Sequence, residues 1–131
     1  MIESTVNKII IGGIQNFSKL FNATNETTQI RVYFDKEKQV KYDACVNWQP
    51  KETVTFKQIL NKKLDMLGYE ALSTPIFKKS LLSFSEELNI EHNEISVFIF
   101  NQKNQIGLCV FRNSNHLHTT SLAQHLPTLL G

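Results

Sequence analysis

Two short runs constrain this chain more than anything else in it: ISVFIF at 95–100 and, across the polar turn NQKNQ, IGLCVF at 106–111. A β-strand turns alternate side chains to opposite faces. A run that is apolar at nearly every position must therefore be covered on both sides, or covered on one side and used for pairing on the other. The chain is expected to build a sheet around these two strands, and its other segments must help to cover it.

The clearest partner is a hairpin upstream. Ile30, Val32 and Phe34 alternate with polar residues, DKEKQ intervenes, and Val40, Tyr42, Ala44, Val46 and Trp48 continue the two-residue period. The opposite face of the second strand carries Lys41, Asp43, Cys45 and Asn47, as in an antiparallel strand with one side covered. Gln49 and Pro50 are expected to close this hairpin, because proline donates nothing to a ladder.

Helical periodicity supplies the cover. Val6, Ile10, Ile14, Phe17 and Phe21 recur every three or four residues, which predicts an amphipathic helix over 4–22. Gly12 and Gly13 interrupt it and mark either a kink or the close approach of another backbone. Thr55 and Gln58 form a capping box, with Val54 placed to staple onto Ile59, ahead of a stripe of Phe56, Ile59, Leu60, Leu64 and Leu67 and a cap at Gly68. Thr74 and Pro75 are expected to start a further helix carrying Phe77, Leu81, Phe84 and Leu88, adjacent and antiparallel to the previous one. A last helix is expected from Thr119 or Thr120, including Leu122 and Leu126 and disturbed by Pro127.

These elements run α-β-β-α-α-β-β-α. They predict an α+β fold: a four-stranded antiparallel sheet made of two β-hairpins with helices packed against it. At 131 residues the chain has the size of a single domain, with residues 1–28 as a semi-independent N-terminal helix and joint. The order of elements is similar to that of small α+β scaffolds used for dimerisation and docking, roadblock-like domains and secretion chaperones among them. No motif carries that likeness, the chaperones are typically acidic where this chain is not, and no residue role follows from it.

Fourteen basic and twelve acidic side chains leave a net charge of +2, far short of the basic footprint of a dedicated nucleic-acid binder. Lys36, Lys38 and Lys41 lie near Tyr33, Tyr42 and Trp48, but alternation sets Tyr42 and Trp48 on the opposite face from Lys41. Cys45 and Cys109 match neither a metal-ligand spacing nor a disulfide framework, and as strand residues they are expected to be buried free thiols. The apolar stretch IIIGGI at 9–14 is too short to span a membrane and has no cleavage pattern, so a cytoplasmic location is expected.

Catalytic groups are scattered. The stretch NSNHLH at 113–118 has two histidines one residue apart, and on a strand His116 and His118 would point the same way, as chelation requires. His125 is a third candidate ligand and Asp43 the candidate acid, since no Asp or Glu occurs from Ile95 to Gly131. The plainer reading of NSNHLH is a polar connection from strand to helix, where asparagine and serine bond their own backbone.

The sequence thus favours a non-enzymatic protein-interaction module of adaptor, chaperone-like or inhibitor-like type, without cofactor and forming a homodimer. Its expected interface is Ile10, Ile14, Phe17, Phe21, Phe98 and Phe100, where apolar surface exceeds what a core of this size was expected to need. The alternatives are a small metal-dependent hydrolase using His116 and His118, and a nucleic-acid-binding protein.

Overall fold

The computed structural model describes the backbone of residues 2–59 and 66–125, and the side chains of 7, 8, 10–55, 58, 59 and 75–125. Leu60, Leu64, Leu126 and Pro127, and the side chains of Val6, Phe56 and Leu67, lie outside that description. Within it the chain forms α1 (Ile2–Leu20), β1 (Thr28–Phe34), β2 (Val40–Val46), β3 (Gln49–Val54), α2 (Phe56–Ile59), α3 (Met66–Leu88), β4 (Ile95–Gln102), β5 (Gln105–Arg112) and β6 (Asn115–Ser121). Residues 122–125 add a final helical turn.

The sheet has six strands, in the order β3-β2-β1-β4-β5-β6, with every neighbouring pair antiparallel. This corrects the four-stranded expectation while leaving the α+β class in place. Each expected hairpin is a three-stranded meander, and the two additions are the edges. β3 was missed because Pro50 reads as a stop, yet an edge strand tolerates a residue that cannot donate on its open side. β6 was missed because NHLHTTS is exposed over most of its length and has no apolar alternation to signal a strand.

β4 lies at the centre, with β1 on one side and β5 on the other. Its backbone is therefore fully committed to the ladder, and ISVFIF is a two-sided central strand that offers no edge for strand addition. On one face Ile30, Val32, Phe34, Tyr42, Ala44, Ile95, Val97, Ile99, Ile106, Leu108 and Val110 form the main core with the helices.

α1 covers that face as one unbroken helix through Gly12 and Gly13. A Cβ on Gly13 would stand 2.7 Å from the carbonyl oxygen of Ile59, so this glycine lets α1 approach α2, whereas Gly12 faces open space. Ile10, Ile14 and Phe17 are 0, 0 and 4% exposed within this core, and Phe21 packs half-buried at its margin. Burying side chains of this size contributes about 1.5–3 kcal/mol each, so the stripe read as surplus is absorbed by the chain's own sheet.

α3 differs from the expected pair of helices. It runs continuously through Gly68 and Pro75, so neither residue marks a helix end. The capping box at its predecessor is formed: the Gln58 amide donates to Thr55 Oγ1 (3.3 Å) and the Thr55 amide to Gln58 Oε1 (2.8 Å). Both α1 and α3 close on an asparagine in the left-handed region, Asn22 (φ 53°) and Asn89 (φ 56°). In each case the following amide, of Ala23 or Ile90, returns to a carbonyl one turn back, Ser18 (2.7 Å) or Ser85 (2.9 Å), as in a Schellman cap.

The candidate docking face of the sheet

The sheet face turned away from the main core carries Gln29, Arg31, Tyr33, Lys41, Asp43, Cys45, Phe98, Phe100, Cys109 and Phe111, by the alternation of the same strands. A second, smaller cluster forms here. Cys45, Phe98 and Cys109 are buried, with Phe100 and Phe111 packed half-buried against them. Gly107 makes room for it, since a Cβ there would collide with the Phe100 ring.

Trp48 caps this cluster from the β2–β3 turn. Val46 pairs with Gln49, leaving Asn47 and Trp48 as a two-residue turn with φ of 52° and 66°. This is the primed hairpin geometry whose second position favours glycine, and a bulky residue there is strained. The chain reversal carries the indole off the two-residue period expected for it, onto the outer face. Its ring centre lies 5.7 Å from Phe98, 5.8 Å from Phe100 and 6.4 Å from Phe111, while 39% of the residue remains exposed. Phe98 and Phe111 are 4.9 Å apart. Gln29, fully buried, accepts the Trp48 amide at Oε1 (2.8 Å).

Beside the aromatics sits a polar network on β1, β2 and β3. Asp43, itself buried, accepts Arg31 Nη1 at 2.9 Å on one oxygen, and the hydroxyls of Tyr33 (3.3 Å) and Thr53 (3.1 Å) on the other. The guanidinium also lies 4.2 Å from the centre of the Tyr33 ring. Burial first, then the Asp43 charge, pushes the Tyr33 phenol up, so the ring stays a neutral donor. An open cavity of about 320 Å³ joins the two regions, lined by Arg31, Trp48, Gln49, Pro50, Phe98, Phe111, Asn113 and Ser114.

The histidines do not come together. A bulge at Val110 and Phe111 pairs Val110 with His118 but Phe111 with His116, leaving Leu117 as the extra residue. The two imidazoles therefore fall on opposite faces, against the same-side expectation. His116 packs on Phe111 (5.4 Å) and meets Thr119 Oγ1 through Nε2 at 2.6 Å. His118 approaches Phe84 (6.0 Å), on which the buried His125 stacks at 4.0 Å. Asp43, on β2, is held by Arg31 of β1, and β1, β4 and β5 lie between it and the β6 histidines. Among the described residues no three His, Cys, Asp or Glu side chains are grouped to hold a metal ion.

Both thiols are buried as expected. Burial pushes Cys45 up to about 12 and raises Cys109 as well, so both stay protonated at neutral pH and neither is the thiolate a nucleophile requires. Of the residues proposed for nucleic-acid contact, Tyr42 is buried in the main core edge-on to Phe77, while Lys41 is exposed and reaches Asp35 at 3.9 Å. Among the described residues no helix is long and apolar enough to cross a membrane.

Sequence reasoning named Phe98 and Phe100 at this face but missed Trp48, Phe111 and Arg31. The one local signal for Trp48 was Asn47 before it, since asparagine tolerates the left-handed backbone that a tight turn requires. No protein-family model, curated protein or solved structure matches the chain.

Proposed function

We propose that this chain is a non-enzymatic protein-binding module whose docking surface is the outer face of the sheet, centred on Trp48, Phe98, Phe100 and Phe111. The carrying observation is that a strained turn holds a half-exposed indole over a second apolar cluster, in which, among the described residues, no helix side chain packs. Backbone strain persists where surrounding structure over-determines it and concentrates at functional positions. Tryptophan and tyrosine with a neighbouring arginine are also the residue types that dominate binding energy at interfaces. Ile10, Ile14 and Phe17 play no part in this surface, because the chain's own core encloses them.

The test is selection of peptides from a displayed random library on the folded protein. Enriched peptides are expected to carry large apolar residues and to lose at least about tenfold in affinity for Trp48→Ala, a loss of about 1.4 kcal/mol. Equal binding to a folded Trp48→Ala variant, or no enrichment at all, would remove the reading.

A further inference from the structure

The cavity on the outer face has a lining that selects among partners. Seven of its side chains are uncharged and one, Arg31, is a cation. Asp43, its counter-ion, keeps only 7% of its side chain accessible against 30% for Arg31, so the charge exposed to an incoming partner is the positive one. Asp43 is already supplied with donors from Arg31, Tyr33 and Thr53. Held by that carboxylate on one side and by the Tyr33 ring below, the guanidinium is fixed in orientation before any partner arrives. Of its five N–H groups, Nη1 serves Asp43, and the planar fork suits a second carboxylate.

Arg31, Trp48, Phe98 and Phe111 line one cavity, so a partner filling it meets aromatic walls and a cation within a single side chain's reach. Asn113 and Ser114 add polar groups on the same lining, from the β5–β6 turn. A basic segment would be repelled by Arg31, and a purely apolar one would leave its exposed N–H groups to be desolvated without a partner.

We propose that this cavity receives an acidic segment of a partner protein: a large apolar side chain enters between Trp48, Phe98 and Phe111, and a neighbouring Glu or Asp carboxylate bonds to Arg31. This rests on the outer face being the docking surface and names the chemistry of what docks there.

Three synthetic peptides test it, sharing a glycine-serine frame and one central phenylalanine flanked by two glutamates, two glutamines or two lysines. Trp48 is the one tryptophan in the chain, so its emission reports occupancy directly. The glutamate peptide is expected to bind about tenfold tighter than the glutamine peptide, with the lysine peptide weakest, and the advantage should shrink as salt rises. In Arg31→Gln the glutamate advantage should vanish while the glutamine peptide binds as before. Because that variant leaves Asp43 buried without its counter-ion, the double variant Arg31→Gln/Asp43→Asn provides the same comparison with both charges removed.

Equal affinity for the glutamate and glutamine peptides, or an advantage that survives in both variants, overturns the acidic partner and leaves the docking face standing. Failure of all three peptides to change the emission also overturns it; the face itself falls only if library selection fails too. A concentration-dependent emission shift without peptide, lost in a Phe98→Ser variant, would assign the cavity to a second copy of this chain and overturn the acidic segment.

Discussion

The Trp48 amide and the Gln29 side-chain oxygen lie 2.8 Å apart, a bond that fastens the tip of the β2–β3 turn to a fully buried residue on the outer face of β1. A turn residue thereby becomes part of a packed layer, and its backbone conformation becomes a condition of that layer.

Replacing Trp48 separates the ring from the backbone. Both Trp48→Gly and Trp48→Ala remove the indole, but only glycine relieves the left-handed conformation, which costs an L-residue about 1–2 kcal/mol. Trp48→Gly should therefore unfold at a higher urea concentration than Trp48→Ala. Coincident midpoints would mean that the turn stores no strain.

The two adjacent glycines of α1 should respond with opposite signs. Gly12→Ala adds a methyl to open space and should stabilise the helix by roughly 1 kcal/mol. Gly13→Ala drives a methyl against the Ile59 carbonyl and should destabilise by about 1–3 kcal/mol. Thermal unfolding of the two variants checks both, and a shared sign would contradict the close approach of α1 and α2.

Phe17→Asp should unfold the chain rather than separate subunits. Phe17 is 4% exposed in the main core. Losing its ring and burying a carboxylate should cost about 3–5 kcal/mol or more. Circular dichroism and light scattering on one sample distinguish the outcomes: a folded variant of altered mass would place Phe17 at an interface after all.

Acid should loosen the C-terminal end of the fold. His125 is buried against Phe84, and burial lowers its pKa below the usual histidine range; Glu87 opposes that shift and His118 adds to it. The unfolded chain then binds the proton more readily than the folded one. The stability this neutral histidine contributes is complete above about pH 6.5 and is lost as pH falls from there through the folded value. Denaturant midpoints from pH 7.5 to 5 should drop less in His125→Phe than in the parent, and parallel curves would refute the assignment.

The sequence disclosed the parts of this fold that obey a hydrophobic period. The alternation in β1 and β2, the two-sided runs of β4 and β5, and the α1 stripe are all forced by burial, so each is visible in residue order. β3 and β6 are edges, where one ladder and little apolar area suffice, and Pro50 and NHLHTTS therefore carry no recognisable pattern. The site was half legible for the same reason. Phe98 and Phe100 announce a second apolar face, but what covers them depends on the hand of one turn at Asn47 and Trp48. His116 and His118 were misplaced by the bulge beside Phe111, a shift of register that spacing alone does not reveal.

The meander connectivity also sets where the chain meets its entropic barrier. β1, β2 and β3 are joined by tight turns, and so are β4, β5 and β6, so each trio can zip from its own hairpins. Only the seam that lays Val32 beside Val97 closes a long stretch of polypeptide. Folding should therefore slow at that seam, and changes to side chains along it should alter the refolding rate more than equally destabilising changes at either rim.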